Sequence, residues 1–184
     1  DYRTCHLGMD FWLEANTPVH SFYDGEIISC FDNTADKDYG PTIIIKHEIS
    51  DELSFYTLYG HLSRESLVSL QKGMKIRKGE RLGFIGNPSE NGNWPTHLHF
   101  QIILDLLGYE NNFPGVCSPG QSATWSSVSP DPGLLFNCKD VSSVKKGGIA
   151  ELINERKKHL GKSLSLSYSQ PLKILRGEMQ WLMD

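Results

Sequence analysis

His97-Leu98-His99-Phe100-Gln101-Ile102-Ile103-Leu104 is the stretch on which the fold turns. Its Phe, Ile and Leu suit a pleated, half-buried surface, so it reads as a β-strand. Residues i and i+2 of a strand share a face, which sends both imidazoles to one side and Leu98 and Phe100 to the other. Two histidines on one strand face each need a partner for their polar nitrogens, and the pair therefore points to shared ligation or catalysis.

Working outward, five further runs of the same character precede it, at residues 19–22, 26–31, 42–47, 55–62 and 81–85. Turn signals stand between them: Asp24-Gly25, Tyr39-Gly40-Pro41, Lys72-Gly73, Lys78-Gly79 and Asn91-Gly92. Short strands, tight turns and almost no helix predict a mainly β fold, an antiparallel sheet or sandwich-like domain. Residues 121–132, rich in Ser, Pro and Gly, read as a long surface loop, and the wider insertion 108–131 as exposed loop rather than as a cap. His20 and His47 read as structural histidines, and Trp12 and Tyr23 as partly buried aromatics.

The 184 residues, 39% apolar and 22% charged, are enough to bury a sizeable core without a metal or disulfide to hold it together. No apolar run approaches the roughly 20 residues of a membrane-spanning helix. Charge divides the chain: residues 1–138 carry 9 Lys+Arg against 17 Asp+Glu, a net of −8, while residues 139–184 carry 9 against 5, a net of +4. An acidic first part argues against nucleic acid as a partner, and the basic residues between 71 and 81 read as a solvated hairpin face. The second part opens with a helical run over 142–160. The start, Asp1-Tyr2-Arg3, has neither an initiator Met nor a signal peptide, so it reads as a cut inside something longer. Cys5, Cys30, Cys117 and Cys138 form no CxxC pair and read as free thiols, although four cysteines also allow two disulfides in three connectivities.

Four of the seven histidines fall in three constellations. The first is His6-Leu7-Gly8-Met9-Asp10, an imidazole and a carboxylate four residues apart, with a Gly that lets the backbone bring them together. The second is the His97/His99 pair. The third is Tyr56-Thr57-Leu58-Tyr59-Gly60-His61-Leu62, where His61 closes a strand. His6, Asp10 and one histidine of the pair make a His₂–carboxylate donor set, the composition of a catalytic zinc site with a fourth position open to water. The other histidine of the pair and His61 would stand beside the metal, as imidazoles able to move a proton near neutral pH.

The order HLGMD, TLYGHLS, HLHF, with PVHSFYDGEIIS, YGPTIIIKHE and KGMKIRKGERLGFIGN between, resembles the lysostaphin/LytM-type zinc metallopeptidases over about residues 3–104. That resemblance implies an antiparallel β fold with an open groove. It also implies Zn²⁺ bound by His6, Asp10 and His99, with His61 and His97 as non-ligand catalytic histidines. It further implies hydrolysis of peptide bonds in bacterial cell-wall cross-links. The loop at 87–96, with Asn91-Gly92-Asn93-Trp94-Pro95, departs from the short Ser/Thr/Gly stretch common there. Residues 151–184 resemble the N-terminal start of class III pyridoxal-phosphate aminotransferases, without their catalytic lysine. The expected organisation is a peptidase-like domain at 1–138, then a linker helix and the start of an aminotransferase-like domain at 139–184. The tail favours the cytoplasm and a typical family member the cell envelope. The competing reading is a non-catalytic β domain that grips a peptide or docks the fused enzyme.

Overall fold

The computed structural model describes Arg3 and residues 5–136. The expected helix at 142–160, Cys138 and the aminotransferase-like tail lie outside the described residues. The elements in order are β1 (Cys5–His6), β2 (Met9–Phe11), β3 (Pro18–His20), β4 (Gly25–Asn33), β5 (Gly40–Ser50), β6 (Leu53–Gly60), β7 (Lys75–Ile76), β8 (Arg81–Phe84), β9 (Leu98–Ile103), β10 (Val116–Cys117) and α1 (Ser122–Val128). Three short 3-10 turns accompany them. Six strands form one antiparallel sheet in the order β2-β9-β6-β5-β4-β7, and β1–β10 and β3–β8 form two small ladders. The fold is mainly β and antiparallel, as the strand and turn pattern predicts.

Both faces of the large sheet are covered, which is why its middle strands read as apolar runs rather than as clean alternation. Ile43, Ile44 and Ile45 of β5 are all fully buried. Ile43 and Ile45 join Phe55, Tyr59, Phe100 and Ile102 in the larger core, together with Leu62, Leu82 and Ile85. Ile44 points the other way and joins Leu58, Ile103 and Phe113, with Trp125 and Val128 packed against them.

That second layer corrects the reading of residues 108–132. The segment is exposed loop only in part: residues 108–112 and 119–121 lie on the surface, but Phe113 is 1% exposed, Ser129 is buried, and α1 lies within it. Trp125 meets Phe113 edge to face at 5.7 Å. The helix has no side-chain cap and a Ser-rich sequence, so packing onto the sheet stabilises it rather than intrinsic propensity. Phe136 extends the same domain on the other face, edge-on to Phe11 at 5.2 Å and to Phe100 at 5.7 Å.

His47, on β5, is a structural histidine. Its Nδ1–H donates to the Asp24 carbonyl at 2.8 Å, and its Nε2 accepts from the Thr57 hydroxyl at 2.7 Å. Both nitrogens are used by the neutral ring, and burial pushes its pKa down to about 4. The unfolded chain therefore takes up this proton first, so the contribution is complete above about pH 6.5 and is lost as pH falls from there toward 4. The loss should reach about 3 kcal/mol. Urea unfolding of wild type and His47→Gln between pH 7.5 and 4 should show that slope in the wild type and a shallower one in the variant.

Candidate metal centre

Strand register builds the centre. In the three adjacent strands β2, β9 and β6, His99 faces Asp10 on one side and Gly60 on the other. His6 arrives from β1, at the end of the short turn that leads into β2. The His6 Nε2, Asp10 Oδ1 and His99 Nδ1 atoms form a triangle: His6 to His99 is 3.0 Å, His6 to Asp10 3.1 Å and His99 to Asp10 3.1 Å. His99 is buried at the base, while the side chains of His6 and Asp10 keep 20% and 25% of their exposure. The triangle therefore opens to solvent on one side.

The neighbours of His99 decide which of its nitrogens faces the triangle. Gln101, two residues along and so on the same sheet face, has an amide nitrogen that donates to the Pro114 carbonyl at 3.1 Å and to Ser129 Oγ at 2.8 Å. Its Oε1 must then face His99 Nε2, 3.0 Å away, and accept a hydrogen bond from it. The His99 proton sits on Nε2, and Nδ1 turns a lone pair into the triangle. Burial holds the His99 pKa down, keeping the ring neutral. Burial works against ionisation of Asp10, but the hydrogen bond from His6 outweighs it and holds the carboxyl well below the usual range.

Two imidazole nitrogens and a carboxylate oxygen thus converge on one point. Such a donor set fits Zn²⁺: bonds of about 2.0–2.2 Å in tetrahedral array put ligand atoms about 3.3 Å apart, close to the spacing here. An outer partner on the back nitrogen of a ligating histidine is also what metal sites use to fix the tautomer.

The other two histidines flank the triangle. His97 immediately precedes β9, and its Nε2 lies 3.9 Å from Asp10 Oδ1. Its Nδ1–H donates to the Pro95 carbonyl at 2.6 Å. The His61 ring lies 4.3 Å from that of His97 and 6.2 Å from that of His99, and its Nδ1–H donates to the Asn91 carbonyl at 2.8 Å. In both rings a backbone carbonyl fixes the proton on Nδ1 and leaves Nε2 with its lone pair. His61 does not end a strand as expected: it lies one residue past β6 with φ +62°, a left-handed conformation that costs free energy and is held here by its surroundings. Its N–H donates to Tyr39 O at 2.8 Å and its carbonyl accepts from Gly86 N at 2.9 Å. Burial and the neighbouring His97 and His99 push the His61 pKa down to about 3.

Residues 4–109 match peptidase family M23. The chain belongs to that family. Among curated proteins, this M23 chain is 31% identical over 100 residues to a peptidoglycan DD-endopeptidase, ShyA, of Vibrio cholerae, a match that covers 54% of the chain and 20% of that protein. It is 28% identical over 99 residues to an uncharacterised metalloprotease of Buchnera aphidicola, covering 54% of the chain and 23% of that protein. The match thus spans about a fifth of the length of these relatives. Among solved structures, the catalytic domain of a prophage-encoded M23 protein, EnpA, from Enterococcus faecalis is 21% identical with a TM-score of 0.47, over 62% of this chain and 79% of that one.

The candidate site contains two residues that reading the sequence missed. Gln101 stands two positions after His99, so strand periodicity alone could have placed it beside the imidazole. Tyr39, read only as part of a turn, packs its ring 5.0 Å from His99 and 5.7 Å from His61 and donates its hydroxyl to Phe113 O at 3.0 Å. Trp12, expected simply as a partly buried aromatic, stacks on His97 at 4.7 Å. Trp94, from the divergent loop, presents its edge to His61 at 6.3 Å and to His97 at 6.5 Å.

Gly8 also has a different reason from the one its sequence suggests. A β-carbon there would come within 2.6 Å of His99 Cε1 and 2.7 Å of its Nε2. Gly8→Ala should therefore displace His99 from Gln101 and weaken zinc binding by about tenfold or more, the cost of losing an outer partner. Chelator competition on the two proteins would measure it.

Proposed function

We propose that this chain carries the catalytic unit of a zinc-dependent endopeptidase that cleaves the cross-linking peptides of peptidoglycan. The observation that carries the reading is the convergence of His6 Nε2, Asp10 Oδ1 and His99 Nδ1 on one solvent-facing point, with the lone pairs of two further imidazoles beside it. Family membership supports peptide hydrolysis, and the name of the Vibrio cholerae relative supports peptidoglycan as the substrate. A bound zinc ion would supply Lewis acidity and lower the pKa of a coordinated water. The chain's own residues do the rest. The Nε2 lone pairs of His97 and His61 can accept hydrogen bonds from the attacking water, and His97 can carry its proton to the departing amine. Trp12 and Trp94 flank these two rings and would contact the peptide on either side of the scissile bond.

The catalytic unit we propose extends beyond the matched residues at least to Phe136, since Phe113, Trp125 and Phe136 pack on the two faces of the sheet. The aminotransferase-like tail lies outside the matched and the described residues and contributes nothing to this reading. With a cell-wall substrate, the cell envelope is the compartment proposed. Among the described residues no helix is long and apolar enough to cross a membrane.

The test is metal content measured together with hydrolysis of pentaglycine and of D-amino-acid-containing stem-peptide cross-links. One zinc per chain with cleavage of the stem peptides is the expected result. Zinc without cleavage of either would favour the non-catalytic binding domain, and no zinc after reconstitution would overturn the metal centre itself.

A further inference from the structure

β1 is only two residues long, yet it carries His6. Its ladder partner is β10, where Cys5 faces Cys117 and His6 faces Val116. Leu7 N–H donates to Gly115 O at 2.9 Å, which marks a hydrogen-bonded position of the ladder. Cys5 and Cys117, two residues further on, occupy the next such position, where facing Cα atoms stand about 5.5 Å apart. Disulfides favour a Cα separation of about 5.5–6 Å. Burial, with the Cys5 thiol beside it, pushes the Cys117 thiol up to about 11. Cys30 lies on β4, a strand paired only with β5 and β7.

We propose that Cys5 and Cys117 form a disulfide that pins β1, and with it His6, to β10. Among the described cysteines, Cys5 and Cys117 are the pair that the strand register sets face to face. This pairing rests on strand register and stands whether or not the chain is a peptidase. The bond would form by thiol–disulfide exchange with an oxidised dithiol carrier. Cys5, the more exposed sulfur, attacks the carrier disulfide as a thiolate and releases one carrier sulfur; Cys117 then attacks the mixed disulfide and releases the second. The two protein thiols lose two electrons and two protons, and the carrier gains both as two thiols. An oxidising envelope compartment sustains such a bond, whereas a reducing cytoplasm opposes it.

The consequence falls on His6. Before the bond forms, a two-residue ladder and the Leu7 hydrogen bond hold its strand; afterwards a covalent tie holds the residue next to it. The experiment equilibrates the full chain in glutathione buffers of oxidising and reducing composition, then maps peptides by mass without reductant. The expected product is about 2 Da lighter, with one peptide joining Cys5 to Cys117. Its melting midpoint should lie about 5–10 °C above that of the reduced protein, and apo protein reloaded with zinc should hold it more tightly when oxidised. Cys5→Ser should melt at the same temperature in both buffers, whereas a variant lacking Cys30 and Cys138 should keep the difference. A persistent glutathione adduct on Cys5, a link from Cys117 to Cys30 or Cys138, or free thiols throughout would each overturn the proposal, and the wild-type mapping decides it even where a variant fails to fold.

Discussion

Replacing His61 with asparagine should reduce peptide hydrolysis by about 10³-fold while the protein still folds and still binds one zinc ion. The imidazole lies outside the donor triangle, with its ring 6.2 Å from that of His99, so removing it takes nothing from the metal's ligands. Its Nε2 is free because Asn91 O holds its Nδ1–H. Asparagine is the informative substitution, since it tolerates the left-handed backbone that His61 adopts at φ +62°. Alanine would mix the loss of the imidazole with backbone strain, whereas His61→Gly relieves the strain and should be no more active. Metal analysis and kcat measured on the same preparation separate the outcomes. Loss of zinc along with activity would make His61 part of the metal's support, and retained activity would leave His97 as the only imidazole acting on the attacking water.

The fold was legible in the sequence wherever strands are long enough to show composition and alternation. The runs at 26–31, 42–47 and 55–62 lie inside or across β4, β5 and β6, and the run at 81–85 overlaps β8 almost completely. β1, β2, β7 and β10 were not legible, because two or three residues carry no period. The segment 108–132 misled for a different reason. Its Ser, Pro and Gly are turn formers, and only contact with Ile44, Leu58 and Ile103 makes Phe113, Trp125 and α1 part of the core.

In the site, the alternation at His97 and His99 and the spacing of His6 and Asp10 were local signals, and the structure brings all four side chains together. What stayed hidden depends on contacts between residues distant in sequence. The demand for glycine at position 8 comes from His99, on another strand. Tyr39 reaches the histidines because Gly60 makes room for its ring: a β-carbon there would come within 2.7 Å of Tyr39 Cδ1. The tautomer of His99 follows from Gln101, whose orientation in turn is set by Pro114 and Ser129 in the segment read as loop.

His99→Ala should have the largest effect of any single change: zinc affinity lower by well over about a hundredfold, beyond the loss of an outer partner, and hydrolysis gone with it. Three protein donors leave no redundancy, since removing one leaves an imidazole and a carboxylate that are both partly open to water. The same substitution leaves Gln101 Oε1 buried without the N–H it accepts from, so stability should also fall, by about 1–3 kcal/mol. His99→Gln separates the two effects, because its amide can still donate toward Gln101 while offering zinc a far poorer ligand. The expected pattern is recovery of the melting temperature without recovery of zinc or activity. A His99→Gln protein that bound zinc as tightly as wild type would show that His99 belongs to the core's hydrogen-bond network and not to the metal. In that case Asp10 and His6 would be no more than a surface ion pair. If instead both His99 variants lose zinc while His61→Asn keeps it, the division into three ligands and two flanking imidazoles holds, and the chemistry proposed for this chain has its physical basis in that division.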